Sequence, residues 1–185
     1  MPSSEGSCSL AVNVVCQSPC LWIGDHLDYC KPPRVLDEPS YSPMWTWIPE
    51  GAEWLYLVKV VGFTLAYIPR NDTVYFVNPA YALRNTCPPN TVLVAQCVRD
   101  EGSAPRLLVV DILCEKSVST FGVAPYERYD RLRELRAHFV EPNCSLQWCG
   151  ERAALTDEFF ATLPHVVRGR MGVGVTPGEF IMEEF

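Results

Sequence analysis

Lys59 is the lysine of this sequence whose surroundings are typical of a functional residue. The 185-residue chain has three lysines, and Lys59 alone lies in a strongly apolar run, residues 53–68 (EWLYLVKVVGFTLAYI). An ammonium group held at such a place can contact a phosphate. The ordinary alternative is a lysine whose stem packs on apolar neighbours while its charged head reaches solvent. Lys59 is therefore a candidate phosphate contact.

Three tryptophans precede or enter the same run, at Trp45, Trp47 and Trp54. An aromatic face under a flat, positively charged base gains stacking and cation–π attraction, worth ~1–3 kcal/mol. The alternative is that these rings simply close the hydrophobic core. On the first interpretation all three are candidate ligand-binding residues.

A metal site is a third possible chemistry, because Cys16, Cys20, His26 and Cys30 form a C-x3-C-x5-H-x3-C pattern. Four soft ligands so close in sequence could close a tetrahedral zinc site. The first two cysteines are not separated by the usual two residues, so we interpret these cysteines as ordinary buried thiols. We therefore predict no bound metal and no cofactor. The nine cysteines are odd in number and irregularly spaced, which favours reduced thiols in the cytosol or nucleus.

Charge and hydropathy argue against several classes of protein. The net charge is −7 at pH 7, whereas a sequence-independent nucleic-acid binder normally presents a basic surface. The longest apolar stretch, residues 54–68, is interrupted by Lys59 and Gly62. It falls short of the ~20 residues that a membrane span needs. The first residues also lack the basic region of a secretory signal, so no membrane partner is expected.

The pattern of elements predicts an α+β fold built around an antiparallel sheet. Runs rich in β-branched and aromatic residues predict strands, with a bend or bulge at Gly62. These strands are expected at residues 53–68, 73–78, 91–99, 106–114 and 170–175.

Residues 1–44 are rich in proline and cysteine, and we expect an arm that packs on a domain of residues 45–185. Two helices are predicted in that domain, over residues 126–139 and after a cap at Thr156. The arginines of the first helix alternate with acidic residues, which favours a solvated, ion-paired surface over RNA contacts. They are Arg128, Arg131, Arg133 and Arg136.

The order of these elements resembles the nucleotidyltransferases that cap messenger RNA or join nucleic-acid ends. One strand of that family carries lysine-x-aspartate-glycine-x-arginine, and residues 59–64 (KVVGFT) stand at this position. The strand with Gln96 falls where the family has a glutamate, and residues 108–113 (LVVDIL), with Asp111, match the next strand. Residues 171–177 (MGVGVTP) resemble the late strand of messenger-RNA guanylyltransferases. The resemblance implies a nucleotidyltransferase-like domain with an antiparallel sheet.

The same resemblance predicts that catalysis is lost. In the family the lysine attacks the α-phosphorus to form a phosphoramidate, and acidic residues hold the metal that neutralises phosphate charge. Here Val61 stands for the aspartate, Thr64 for the arginine, Gln96 for the glutamate and Met171 for the late acidic residue. Without acidic partners, Asp111 is expected to be a hydrogen-bonded carboxylate at a strand. We therefore expect a degenerate domain with no catalytic residue.

Residues 45–54 (WTWIPEGAEW) resemble the tryptophan-containing run that precedes the cap-binding domain of the snurportins, import adaptors for trimethylguanosine-capped small nuclear RNA. This resemblance implies non-catalytic binding of an RNA 5′ cap or nucleotide in the nucleus or cytoplasm, with a possible protein partner in a ribonucleoprotein. The implied ligand residues are Lys59, Trp45, Trp47, Trp54, Gln96 and Asp111. Two other functions stay open: a structural ribonucleoprotein subunit, which the acidic charge favours, and an active RNA guanylyltransferase.

Overall fold

The fold is dominated by β-strands. The computed structural model describes residues 44–78, 81–100 and 102–185, together with the backbone of residues 11–16 and 34–35. The strands are β1 (Ala11–Cys16), β2 (Arg34–Val35), β3 (Trp45–Pro49), β4 (Glu53–Val60), β5 (Phe63–Ile68), β6 (Thr73–Val77), β7 (Thr91–Arg99), β8 (Pro105–Glu115), β9 (Val118–Ser119), β10 (Cys144–Leu146), β11 (Val167–Val173) and β12 (Glu179–Glu184). The helices are α1 (Pro125–Leu135) and α2 (Asp157–Ala161), with 3₁₀ turns at Pro69–Asn71, Arg136–His138 and Arg152–Ala154.

These strands form two sheets. The large sheet has the order β1-β6-β5-β4-β7-β8-β10, with β9 paired to β8, and the small sheet has the order β2-β12-β11-β3. The β10–β8 and β2–β12 pairs are parallel, and the other pairs are antiparallel. The predicted antiparallel pairing is right for most strands, but the second sheet was missed.

Two hydrophobic layers cover the large sheet, because successive side chains of a strand point to opposite faces. In β4, Leu55 and Leu57 pack in the layer that contains Leu132 of α1; we call this side the helix face. Tyr56 packs instead in a layer that contains Phe180 of β12; we call this side the inter-sheet face. The space between the two sheets is therefore filled with apolar side chains.

A tight hairpin replaces the bend that was predicted at Gly62. β4 ends at Val60, β5 begins at Phe63, and the two strands pair in antiparallel register. Gly62 has a φ of 81°, a left-handed conformation that glycine adopts without the strain of a Cβ atom. The apolar run of residues 53–68 is therefore two strands, and Lys59 lies next to the turn that joins them.

The described cysteines include one that departs from the sequence prediction. Cys87, Cys114, Cys144 and Cys149 are free and buried, as expected for reduced thiols. Cys97 of β7 is disulfide-bonded. The prediction of reduced thiols is therefore wrong at Cys97.

The amino-terminal residues contribute a strand to each sheet, since β1 pairs with β6 and β2 pairs with β12. The division into an arm of residues 1–44 and a domain of residues 45–185 stays a prediction. The side chains of the possible zinc ligands Cys16, Cys20, His26 and Cys30 lie outside the described residues. Within the described part, none of the helices combines the length and the apolar character required to cross a bilayer.

Candidate functional site

Lys59 is held on the helix face at the end of β4. It pairs with Thr64 of β5 and with Thr91 of β7, and it is only 2 % exposed. Its Nζ donates to the carbonyl oxygens of Val60 at 2.7 Å and of Phe63 at 3.3 Å. Because both acceptors belong to the β4–β5 hairpin, the amine fixes this turn and is not presented to solvent.

A pocket of about 390 Å³ lies against the same hairpin. Its described lining consists of Gly62, Phe63, Thr64, Phe76, Val77, Asn78, Leu83 and Asn85, and none of these side chains is charged. Phe63 and Phe76 meet edge to face, with ring centroids 5.7 Å apart. The Phe63 ring is more than half exposed and offers stacking surface, and the exposed Asn85 amide offers hydrogen-bond donors and an acceptor. We call this cavity the hairpin pocket.

Gln96 lies on the opposite side of the large sheet. It pairs with Trp54 on the inter-sheet face and is fully buried. Its Nε2 donates to Oε1 of Gln147 at 3.1 Å, and Nε2 of Gln147 donates to Oγ1 of Thr46 and to the carbonyl oxygen of Trp47, both at 2.7 Å. This chain of amides links β7 to β3. Oε1 of Gln96 has no hydrogen-bond partner among the described residues.

Asp111 forms a buried ion pair with Arg128 of α1. Nε of Arg128 lies 2.9 Å from Oδ1 of Asp111, and both side chains are 1 % exposed. The prediction of a solvated arginine surface is therefore wrong for Arg128, although Arg133 does pair with Asp130 at the surface. The Arg128 guanidinium also donates to the carbonyl oxygens of Val123, Gly174 and Val175. The predicted hydrogen-bonded carboxylate is thus a closed hub between β8, α1 and the β11–β12 turn.

The three candidate tryptophans occupy two different faces. Trp45 and Trp47 project from the outer face of the small sheet, since the intervening β3 residues point the other way. The Arg152 guanidinium lies 5.6 Å from the centroid of the Trp45 ring. Trp54 faces the small sheet instead and packs on Phe180, with centroids 5.0 Å apart. The three rings do not form one stacking platform.

Neither a metal cluster nor an activated thiol is present in the described part of the chain. No group of three or more His, Cys, Asp and Glu side chains there could hold a metal ion. Burial raises the pKa of Cys87 to about 11 and that of Cys149 to about 12, and it also raises the pKa of Cys114 and Cys144. These free thiols are protonated at neutral pH, and a protonated thiol is a poor nucleophile.

The six candidate ligand residues therefore do not converge on one cavity. The helix face holds Lys59, and the inter-sheet face holds Gln96, Asp111 and Trp54. The outer face of the small sheet holds Trp45 and Trp47. Their binding role stays a prediction. Sequence reasoning missed Phe63, Phe76, Asn78 and Asn85 of the hairpin pocket. The sequence signal for Phe63 was its place in the KVVGFT segment, and the other three had none.

Comparisons with known proteins bear on the fold. No protein-family model matches the sequence, and no curated protein matches it. The structure is similar to the ligase domain of LigD from M. tuberculosis, with a TM-score of 0.53 and 12% sequence identity, over 85% of this chain and 60% of that chain. It is also similar to mycobacterial DNA ligase D complexed with ATP and MES, with a TM-score of 0.53, 13% identity and the same coverage.

This likeness confirms the predicted nucleotidyltransferase-like fold at a coarse level. The chain spans about 60% of the length of these ligase structures, and at such low identity the likeness concerns the fold alone. The resemblance to the snurportin cap-binding domain is not tested by it and stays a prediction.

Proposed function

We propose that this domain binds the 5′-terminal nucleotide or cap of an RNA without transferring it, and that the base enters the hairpin pocket. The observation that carries the proposal is the composition of this pocket, whose described lining includes Phe63, Phe76 and Asn85 and no charged side chain. Its volume of about 390 Å³ falls in the range of small-ligand sites, roughly 300–1,000 Å³. Flat heterocycles are commonly held by stacking combined with hydrogen bonds to their edges.

The environment of Lys59 supports binding over catalysis. Nucleotidyl transfer needs an unprotonated amine that is free to attack phosphorus, and it needs a metal held by acidic side chains. Nζ of Lys59 instead donates to Val60 and Phe63, and the inter-sheet position expected for an acid is held by Gln96. Because Phe63 lines the pocket, Lys59 would act here by positioning that residue.

The acidic net charge supports a contact centred on the RNA end. A chain with a net charge of −7 gains little from the counterion release that drives binding along an RNA backbone. A methylated guanine is cationic, so it gains cation–π attraction from an aromatic ring such as Phe63. On this proposal the partner is capped RNA in the nucleus or cytoplasm, for instance during import of a small nuclear ribonucleoprotein.

The direct test is calorimetric titration with a methylated cap dinucleotide, with GTP and ATP as comparison ligands. We expect the cap to bind more tightly than either, and Phe63→Ala to weaken it roughly 5- to 100-fold, as loss of one stacking ring does. Asn85→Ala should weaken binding less. Phe121→Ala is the matched control, because Phe121 is 76% exposed and does not line the pocket. Absence of binding, or Phe63→Ala binding like wild type, would contradict the proposal.

A second assay addresses the enzymatic alternative. The protein is incubated with labelled GTP or ATP and magnesium or manganese, and a denaturation-stable adduct is sought. We expect none. A stoichiometric adduct that disappears in Lys59→Ala would replace the binding proposal with an active nucleotidyltransferase.

A scaffold role is favoured by a different observation. Val61, Phe63, Val118 and Phe121 are all more than half exposed. They lie at one end of the large sheet, since Asn90 bonds both to Lys59 near the end of β4 and to Ser117 in the β8–β9 turn. Failure of every nucleotide to bind would favour this second function, in which the exposed end contacts a ribonucleoprotein subunit.

A further inference from the structure

A second cavity lies where β3 ends and β11 begins, at one end of the small sheet. It measures about 630 Å³, which falls in the range of small-ligand sites, roughly 300–1,000 Å³. Its described walls are Glu50 after β3, Arg99 at the end of β7, and residues 160, 161 and 163–167, which run from α2 into β11. None of its described lining residues belongs to the hairpin pocket. We call this cavity the β3–β11 pocket.

Hydrogen bonds hold the walls of this pocket in place. The His165 ring is engaged on both sides, since its Nε2 accepts from Nε1 of Trp47 at 2.9 Å and its Nδ1 lies 3.0 Å from Oδ1 of Asp100. The backbone amide of Glu50 donates to the carbonyl oxygen of Val166 at 2.8 Å, which ties two walls together. A site whose walls are already ordered loses less conformational freedom when a ligand binds.

Glu50 and Arg99 give the pocket one charge of each sign. Both residues are exposed, and neither forms an ion pair with another described residue. Asp100, the residue after Arg99, is already paired with Nε of Arg106 at 2.6 Å. The Arg99 guanidinium is therefore available to an acidic group of a ligand.

Most of the remaining described lining is apolar. Val166 is 66% exposed, and Phe160, Leu163 and Val167 are half-buried. Covering such side chains with an apolar group of a ligand removes their surface from water, which is favourable. The pocket is therefore suited to a ligand in which an acidic group and an apolar group are close together.

We propose that the β3–β11 pocket binds the carboxyl terminus of a partner protein whose last residue is apolar. The terminal carboxylate accepts two hydrogen bonds from Arg99, because the planar fork of a guanidinium matches the two carboxylate oxygens. The last side chain covers Val166 and Leu163. Glu50 accepts from a backbone N–H of the bound peptide.

Charge complementarity favours a peptide over RNA at this pocket. RNA carries a negative charge at every phosphate, and its binding usually depends on several basic contacts. Here a single available guanidinium lies in the same pocket as the carboxylate of Glu50. A peptide terminus brings one negative charge for Arg99 and N–H donors for Glu50, so both charges gain a partner. This site is independent of the nucleotide binding proposed for the hairpin pocket.

The test uses fluorescence polarisation with the full-length protein and octapeptides that carry a fluorophore at the amino end. The probes end in leucine, valine or phenylalanine, and each is made with a free carboxylate and with an amidated terminus, which removes the charge. We expect the carboxylate forms to bind roughly 10- to 100-fold more tightly than the amidated forms, as expected for hydrogen bonds to a charged group.

Three variants assign the contacts. Arg99→Met should bind the two forms of each peptide equally, and Val166→Asp should weaken the carboxylate forms because it places a negative charge on the apolar wall. Both positions are exposed, so the melting temperature should not change. Arg133→Met is the matched control, because this arginine is 66% exposed on α1 and does not line the pocket; it should keep the wild-type preference.

Four outcomes would overturn the proposal. The first is absence of binding by every peptide up to about 1 mM, and the second is equal binding of both forms by the wild-type protein. The third is an unchanged preference in Arg99→Met. The fourth is an RNA octanucleotide that binds more tightly than every peptide and is lost in Arg99→Met, which would assign the pocket to RNA.

Discussion

The ion pair between Asp111 and Arg128 gives the sharpest prediction about stability. Replacing Arg128 by Met removes a guanidinium that is 1% exposed and donates to both carboxylate oxygens of Asp111, at 2.9 and 3.4 Å. It also removes donors from the carbonyl oxygens of Gly174 and Val175, at 2.7 and 2.9 Å. The variant leaves a buried carboxylate whose described remaining donors are the backbone amides of Ile112 and Gly178.

The magnitude follows from the burial of both partners. Removing one member of a buried ion pair typically costs 3–5 kcal/mol, because the other charge remains uncompensated. For a chain of this length each kcal/mol lowers the melting temperature by roughly 2–4 °C, so Arg128→Met should lower it by roughly 6–20 °C.

Thermal and urea unfolding of the purified variants measure this loss. The matched control is Arg133→Met on the same helix, because Arg133 is 66% exposed and lies 3.6 Å from Asp130. Exposed pairs contribute about 0–1 kcal/mol, so this variant should unfold within a few degrees of wild type. An Arg128→Met protein as stable as the Arg133→Met protein would refute the assignment of Asp111 and Arg128 as a structural hub.

Two further variants test the environments of Lys59 and Gln96. Lys59→Met should change the free energy of unfolding by less than about 1 kcal/mol, because the cost of burying the amine offsets its hydrogen bonds to Val60 and Phe63. It should weaken nucleotide binding, because Phe63 loses the contact that positions it. Urea unfolding measures the first effect and calorimetry the second, and a large loss of stability would contradict this prediction. Gln96→Glu places a carboxyl at a fully buried position, where burial raises its pKa above the ordinary value. The free energy of unfolding of this variant should therefore fall as the pH rises from 5 to 8, by about 2–4 kcal/mol at the higher pH. An equal free energy of unfolding at pH 5 and pH 8 would show that position 96 is not in an apolar, water-excluded environment.

Local sequence patterns were sufficient for the elements formed by neighbouring segments. The hairpin β7–β8 was predicted from its β-branched runs, and helix α2 from the cap at Thr156. The β4–β5 hairpin was not, because its run was predicted to be one strand with a bend at Gly62. The short strands β3, β10 and β12 were missed because they have little pattern of their own. Strand β3 pairs with β11, more than one hundred residues later, and such distant pairing is decided by tertiary packing and not by local propensity.

The site could be predicted only in part, because the face on which a residue lies depends on strand register. A shift of one residue moves every side chain of a strand to the other face. In the observed register Lys59 pairs with Thr91, whereas Gln96, five positions later, pairs with Trp54. The partner of Asp111 was also hidden, since the alternation of charges in α1 gave no sign that Arg128 turns inward.

Under the proposal of binding without transfer, the two faces of the large sheet have separate roles. A transferase site needs its nucleophile and its acidic groups to meet at one phosphate. Here Lys59 lies on the helix face, while Gln96 and Asp111 are enclosed with apolar side chains between the sheets. Restoring acids at single positions such as Gln96 would not bring them to Lys59, because the intervening sheet separates the two groups. On this proposal the inter-sheet face supplies stability, through the Asp111–Arg128 pair and the amide chain, and the hairpin pocket beside β5 and β6 binds the ligand.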